Sequence, residues 1–203
     1  MTAPLPQTDS DRLDRQFAFL AEADRLKSVL RASTLCDASR RENSAEHSWH
    51  LALYAMTLAD QAGASVRIDR VIGMLVLHDL VEIDVGDVPI HSGNGEAHGS
   101  QEIREAEARA AERIFGLLPR DQAEAFRLLW DEFEAGETSD ALFARSLDRV
   151  QPVMANVHSG GGTWKTFDVT WDQLQSRVGS KIERGAPGLW AWVKLRARGF
   201  FSV

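Results

Sequence analysis

Residues 69–87 read DRVIGMLVLHDLVEIDVGD. The first half of this stretch has the 3.6-residue spacing of an amphipathic helix, and Asp69 stands where a helix cap is expected. The side chains that share one face change along it from apolar to titratable: Val71, Leu75, His78 and Glu82. The stretch therefore predicts a helix that packs on the core at its start and carries a histidine–aspartate doublet, His78-Asp79, near its C-terminal end.

Apolar residues recur at helical spacing along most of the chain, at 17–30, 47–58, 103–117, 123–133, 143–157, 174–182 and 189–197. Capping-box patterns at Asn43 with Glu46 and at Thr170 with Gln173 indicate two helix starts, and Pro187 is placed to open the last helix. Residues 84–100, with four glycines and a proline, predict the longest loop. No two-residue alternation persists over six residues, so we expect a single all-α domain over residues 1–203. Its core would span about 17–158, with a C-terminal helical extension at about 165–203.

Composition narrows the class of protein. The 203 residues are 44% hydrophobic and 26% charged and carry a net charge of -7, which argues against a protein that binds duplex DNA or an anionic membrane. The single cysteine excludes a disulfide framework and a multi-cysteine zinc module. No apolar run approaches the roughly 20 residues of a membrane span, and the N-terminus lacks a signal pattern, so we expect a cytoplasmic protein.

Two histidines and two acids form a candidate metal site. His47 lies on an earlier predicted helix, and Asp148 lies far downstream in the otherwise apolar segment Leu147-Asp148-Arg149-Val150, where an acid needs a partner. Imidazole and carboxylate together suit a divalent cation. Adjacent residues on a helix point about 100° apart, so His78 and Asp79 share one ion only at a helix end or a loosened turn. The alternatives are a buried structural histidine at His47 and an ion-pair partner of Arg145 or Arg149 at Asp148.

The doublet and its flanking strings resemble a known family. Residues 41–48, RENSAEHS, and residues 78–87, HDLVEIDVGD, are similar to those of the HD-domain metal-dependent phosphohydrolases, in the single-domain branch that contains the 5′-deoxynucleotidases. The resemblance runs from about Leu26 to about Asp148. It implies a compact HD-type helical domain and hydrolysis of deoxynucleoside 5′-monophosphates by metal-activated water. The implied ligands of a divalent cation (Mn, Co, Fe, Ni, Zn or Mg) are His47, His78, Asp79 and Asp148.

The resemblance also implies roles for three further residues. Glu82 and Asp87 match the catalytic acids of the branch, and Arg31 matches its phosphate-contacting arginine. Glu82 would orient or deprotonate the attacking water, and Asp87 would protonate the leaving 5′-oxygen or hold a ribose hydroxyl. Arg40 and Arg41 are second choices for contacts to phosphate. Ala32-Ser33-Thr34 follow Arg31 where the relatives commonly have a tryptophan, so their base and sugar preference is not carried over.

Two other functions stay open. The doublet followed by Glu82 also resembles the (p)ppGpp and nucleotide pyrophosphohydrolases, although Ile83 stands where those enzymes commonly have a second acid. A non-catalytic, metal-dependent nucleotide sensor is the third possibility, and the presence of Glu82 and Asp87 argues against it. A homodimer is expected from the resemblance and from the general preference for twofold symmetry. Of the remaining histidines, His91 and His98 are expected to be exposed loop histidines, and His50 and His158 to have structural roles. Trp164 is the tryptophan most expected to line a pocket.

Overall fold

Helices make up 76% of the protein, which confirms the predicted helical fold class. The computed structural model describes residues 7–92 and 100–201. The α-helices of these residues are α1 (Gln7–Ala23), α2 (Ser44–Thr57), α3 (Ile68–Leu77), α4 (Glu82–Val85), α5 (Gln101–Phe115), α6 (Arg120–Ala135), α7 (Ser139–His158), α8 (Gly162–Thr166), α9 (Trp171–Leu174), α10 (Ser180–Gly185) and α11 (Pro187–Ala197). Short 3-10 turns lie at Asp24–Ser28, Ala59–Gln61, His78–Val81 and Arg198–Phe200, and a π-helical turn spans Gln175–Gly179.

The predicted first helix through Leu30 is wrong. Helix α1 ends at Ala23, and Leu30 begins a strand, β1 (Leu30–Thr34), which pairs antiparallel with β2 (Arg41–Asn43). The apolar residues used for the prediction do not share a buried face, because Phe17, Leu20 and Leu30 are exposed and only Leu26 is buried. The pairing with β2 is a tertiary contact, and a five-residue strand is too short to show alternation in the sequence.

The hairpin is irregular at the point that matters for the site. Leu30 pairs with Asn43 and Thr34 pairs with Arg41, so residues 31–33 of β1 face the single residue Glu42 of β2. Extra residues of this kind form a β-bulge, which leaves backbone groups outside the ladder and turns side chains out of their regular direction. The bulge contains Arg31, the predicted phosphate-contacting residue.

The twenty-residue helix α7 is the centre of the fold. The Thr138 hydroxyl caps it by accepting a hydrogen bond from the Ala141 N–H, 3.2 Å away. Its fully buried side chains pack with those of α2 and α3 and with the C-terminal helices in one apolar core, which includes Leu51, Leu75, Leu147 and Ile182. The helix stops at His158 because Gly160 and Gly161 adopt positive φ angles of 75° and 109°. The run of glycines at 160–162 therefore terminates the helix.

Most predicted helix starts are confirmed. The capping boxes at Asn43 and Thr170 are both formed, and Pro187 opens α11. The exception is α3, which begins one residue before Asp69 and has Arg67 as its N-cap residue. The buried carboxylate of Asp140 accepts a hydrogen bond of 2.7 Å from the Arg67 backbone N–H and others from the Arg67 guanidinium. A contact with α7, which no local pattern shows, therefore determines this boundary.

The predicted loop begins two residues later than expected, because α4 continues to Val85. Ser100 caps α5 at the other end of the loop by accepting a hydrogen bond from the Ile103 N–H. His98 lies outside the described residues. None of the helices formed by residues 7–92 and 100–201 has both the length and the apolar character of a membrane span.

The packing of α10 on α7 can be tested with two glycines of neighbouring helices. A Cβ atom at Gly185 would collide with the Leu142 carbonyl and the Ser146 hydroxyl, whereas one at Gly188 would meet open space. We expect Gly185→Ala to lower the free energy of unfolding by about 1–3 kcal/mol, the usual cost of overpacking. Gly188→Ala, the control, should leave it unchanged or raise it slightly. Urea denaturation of the three proteins measures both effects, and equal midpoints would contradict the described packing.

Candidate metal centre

The histidine–aspartate doublet lies at a change of helix type. Helix α3 ends at Leu77, and His78 and Asp79 open the tighter 3-10 turn His78–Val81. The His78 Nε2 atom lies 3.0 Å from Asp79 Oδ1, so the two side chains face the same point. This is the helix end with a locally changed turn that two adjacent ligands require.

The structure brings the four predicted ligands together inside the core. His47 from α2 and Asp148 from α7 join the doublet, with His47 Nε2 3.1 Å from Asp148 Oδ1 and 4.0 Å from Asp79 Oδ2. His78 Nε2 lies 3.7 Å from Asp148 Oδ1. Ligands at about 2.0–2.2 Å from a common ion lie about 3–4 Å from one another, so this donor set fits a single divalent cation. His47, His78 and Asp79 each offer an atom within 4.8 Å of the others, and all are buried.

Both imidazole rings are held with one nitrogen aimed at the cluster. His78 Nδ1 lies 2.9 Å from the Leu75 carbonyl and donates to it, and its Nε2 is buried in an orientation that makes no hydrogen bond within the described residues. His47 Nδ1 lies 3.0 Å from Gln151 Oε1, while Gln151 Nε2 donates to Glu42 Oε1 at 2.8 Å. Partners of this kind fix the tautomer and the direction of a metal-binding histidine.

Sequence reasoning missed Gln151 and Glu42. Both are buried, with 2% and 3% of their surface exposed. The available signal was the polar residue Gln151 in the apolar run of α7, three residues after Asp148, and a buried amide of this kind needs hydrogen-bond partners.

The buried carboxylates give the cluster a strong preference for positive charge. Burial alone would lower the pKa of His78, but Asp79 and Asp148 raise it to about 10. Burial alone would raise the pKa of Asp79, yet the positive charges of His78 and Arg31 lower it to about 2. The pKa of Asp148 is also held well below its ordinary value, against burial, by Arg149 and both histidines. A cation bound among these side chains would compensate the same buried negative charge.

Arg31, Glu82 and Asp87 lie beside the cluster, as the resemblance implied. Arg31 Nη1 is 2.7 Å from Asp79 Oδ2 and 3.7 Å from both Glu82 Oε1 and Asp87 Oδ1. The bulged strand contributes a second contact, because the Ala32 N–H donates to Asp87 Oδ2 at 3.1 Å. All three side chains line a cavity of about 340 Å³ that also reaches His78, Asp79 and Asp148.

The two acids beside the cluster hold protons more tightly than free carboxyl groups. Burial and the charge of Asp79 raise the pKa of Glu82 to about 9, and the Ser44 hydroxyl donates a hydrogen bond to its Oε2 atom. Burial also raises the pKa of Asp87. Shifted carboxyl groups in a cavity are typical of residues that exchange protons in catalysis.

Several other candidates have structural partners instead. Arg40 pairs with Glu46 at 2.7 Å, and Arg41 donates to the carbonyls of Leu30 and Arg31, and neither arginine lines the cavity. His50 packs edge-on against Tyr54, outside the cluster.

His91 and Trp164 both line the cavity. The expectation of an exposed loop histidine is therefore wrong for His91. Its Nδ1 atom is buried, and burial with the charges of Arg177 and Arg149 lowers its pKa to about 4. Trp164 is 4% exposed and packs against Phe200 and Phe201, as expected for the tryptophan of a pocket wall.

Comparisons with known proteins agree with this geometry. A family model described as the HD domain matches residues 23–190. The chain is 27% identical over 137 residues to the 5′-deoxynucleotidase HDDC2 of Homo sapiens, and the match covers 67% of the chain and 64% of the human protein. It is 28% identical over 132 residues to the 5′-deoxynucleotidase YfbR of Shigella flexneri, covering 63% of the chain and 66% of that protein. The matches therefore span slightly less than two thirds of these relatives.

A solved structure covers more of the fold. The crystal structure of a predicted metal-dependent phosphohydrolase from Magnetospirillum magnetotacticum MS-1 superposes with a TM-score of 0.86 and is 44% identical. The match covers 95% of this chain and all of the other. Together these matches confirm the resemblance to the HD-domain family that the sequence showed.

The fourth ligand can be tested by removing its carboxylate. We expect Asp148→Ala to bind manganese at least about 10-fold more weakly than the wild type, because a metal site loses at least that much with even an outer-shell partner. Titration calorimetry and metal analysis of the purified protein measure this. Asp131→Ala removes an acid that pairs with Arg127 and is 47% exposed, and it serves as the control. Full metal occupancy in Asp148→Ala would exclude Asp148 as a ligand.

Proposed function

The chain belongs to the HD-domain family, and on that basis we propose that it is a metal-dependent phosphomonoesterase of small nucleotides. The proposed substrates are deoxynucleoside 5′-monophosphates, which are hydrolysed to nucleoside and phosphate. One observation carries the proposal: Arg31, Glu82 and Asp87 line the same cavity as three of the candidate metal ligands, His78, Asp79 and Asp148. The names of the curated relatives support the choice of substrate.

His47, His78, Asp79 and Asp148 are the residues that would hold the cation. When bound, a divalent cation supplies the positive charge that offsets a phosphate dianion and so makes attack by water easier. The chain adds charge of its own, because the Arg31 guanidinium presents a fork of donors that matches phosphate oxygens. Arg31 is 12% exposed and stands beside the acids, so it reaches the phosphate from within the wall of the cavity.

Glu82 is the proposed general base. Its Oε2 atom is held by the Ser44 hydroxyl, while its Oε1 atom faces Arg31. A carboxylate fixed at one oxygen presents the other to a water molecule in a defined direction, and Glu82 would take the proton as the water attacks phosphorus. Burial and the charge of Asp79 raise the pKa of Glu82 to about 9, and the Arg31 guanidinium together with a bound cation would counter this shift and favour the ionised form that a base requires.

Asp87 is the proposed acid for the leaving group. Its carboxyl group is fixed by the Ala32 N–H, and burial raises its pKa, which favours the protonated form that an acid requires. As the phosphorus–oxygen bond breaks, that proton would go to the 5′-oxygen of the nucleoside. Glu82 then holds a proton taken from water and Asp87 has given one to the product, so the pair is restored when a proton passes from Glu82 to Asp87 through solvent.

A panel of nucleotides tests the function. With manganese or cobalt, the protein should release inorganic phosphate from dAMP or dGMP, measured by a colorimetric phosphate assay. Pyrophosphate released from ppGpp would instead support the pyrophosphohydrolase. Tight nucleotide binding with no product at all would support the non-catalytic sensor, and either result contradicts the proposal.

The role of Glu82 can be separated from metal binding. We expect Glu82→Gln to keep its metal and to lose about 10²-fold or more in kcat, the usual scale for a positioned general base. Asp84→Asn is the matched control, because Asp84 pairs with Arg113 at 2.6 Å and does not line the cavity. Steady-state assays and metal analysis are made on the same preparation. A Glu82→Gln protein with the wild-type kcat would show that Glu82 is not the base.

A further inference from the structure

A group of basic side chains lines the same cavity and has no part in the proposed chemistry. Arg145 and Arg149 project from α7 and Lys181 from α10, and we call these three residues the basic cluster. The chain carries a net charge of -7, so a concentration of positive charge in this cavity is not a consequence of composition.

The three side chains are close enough to repel one another. Arg145 and Arg149 are one helical turn apart on the same face of α7, the spacing at which like charges destabilise a helix. The Lys181 carbonyl lies 3.5 Å from the Ser146 hydroxyl, which places the start of α10 against the same turn of α7. Partial burial, together with the charges of Arg149 and Arg145, lowers the pKa of Lys181.

Arg145 and Arg149 both have partners in the protein, and Lys181 differs from them in this respect. Arg145 Nη1 donates to the carbonyls of Phe133 and Glu134 at the end of α6 and lies 3.8 Å from Glu134 Oε2. Arg149 Nε lies 3.7 Å from Asp148 Oδ2, on a carboxylate that is also a candidate metal ligand. Within residues 7–92 and 100–201, Lys181 forms neither an ion pair nor a side-chain hydrogen bond. It is solvent-exposed and lines the cavity, so its ammonium group is available to a ligand.

The basic cluster is one turn from the candidate metal centre. Cavity-lining positions on α7 run from Arg145 through Asp148 to Asn156. At 1.5 Å per residue, this wall is about 16 Å long, and Arg145 and Asp148 are separated along it by only about 4.5 Å. A phosphate at the metal centre would therefore have a second group of cations within reach of the same molecule.

We propose that the basic cluster is a second anion subsite, and that the preferred substrate carries a second phosphate group besides the one that is hydrolysed. This inference rests on the proposed function, since the metal centre still hydrolyses one phosphate group, and it replaces the monophosphates by doubly phosphorylated nucleotides as the preferred substrates. Two guanidinium groups and an ammonium group are the chemistry that recognises phosphate oxygens. The second phosphate belongs either to the sugar, as in a nucleoside 3′,5′-bisphosphate, or to the 5′ chain, as in a nucleoside 5′-diphosphate.

Steady-state kinetics with Lys181→Met tests the subsite. The substrates are dAMP, deoxyadenosine 3′,5′-bisphosphate and dADP, and the matched control is Lys194→Met, which removes an exposed lysine of α11 outside the cavity. For the wild type, we expect kcat/KM for one doubly phosphorylated substrate to exceed that for dAMP by about 10-fold or more, as one added charge-assisted hydrogen bond allows. The doubly phosphorylated substrate with the higher kcat/KM identifies the position of the second phosphate.

Lys181→Met should abolish this preference through KM and leave the kcat/KM for dAMP within about 2-fold, while Lys181→Arg should restore the preference and Lys194→Met should behave as the wild type. An equal loss for all three substrates would overturn the inference, because the basic cluster would then hold the phosphate that is hydrolysed. A preference that survives in Lys181→Met would overturn it as well.

A binding measurement keeps this inference separate from the proposed function. Inorganic pyrophosphate and inorganic phosphate are titrated into the manganese-loaded wild type and Lys181→Met. We expect Lys181→Met to weaken pyrophosphate binding by about 10-fold or more and to leave phosphate binding unchanged. If this holds but no nucleotide is hydrolysed, the proposed function fails and the subsite stands. If nucleotides are hydrolysed and pyrophosphate binding does not depend on Lys181, the subsite fails alone.

Discussion

Two carboxylates buried in a helical core, those of Asp79 and Asp148, impose the main constraint on this structure. A buried negative charge is costly unless positive groups and hydrogen bonds surround it. His47, His78 and Arg31 supply those groups from α2, from the turn after α3 and from the hairpin, so three separate parts of the chain converge on one point. The same arrangement leaves room for a divalent cation. The need to compensate these two carboxylates with positive charge therefore links the fold to the proposed chemistry.

The sequence predicts the centre of the structure better than its edges. The change from apolar to titratable residues along Val71, Leu75, His78 and Glu82 correctly indicated a helix that ends at the site, because helical spacing and the doublet are local features. The hairpin at 30–43 was missed because its pairing is not local and its strands are too short for a pattern. The start of α3 was misplaced for a related reason, since it depends on Asp140 in a distant helix.

The candidate site shows the same division. The proposed ligands and acids other than Asp148 lie in two strings that could be read directly, and the structure brings Asp148 to the same point. Gln151 and Glu42, which orient His47, carry no motif and become visible only when the helices are packed. Lys181 is still harder to predict from the sequence, because it lies on a six-residue helix whose position over α7 follows from packing at Gly185. The metal-binding and catalytic roles of the proposed site residues stay predictions, as does the homodimer.

The bulge in β1 sets a limit on how this protein can vary. Residues 31–33 occupy the space opposite the single residue Glu42, and this is how Arg31 reaches Asp79 while the Ala32 N–H reaches Asp87. In a regular strand, successive side chains alternate between faces and backbone N–H groups serve the ladder. Shortening β1 to a regular pairing would preserve the hairpin and remove both contacts. Length changes in this hairpin are therefore tolerable in the turn at 35–40, but not in the few residues that precede it.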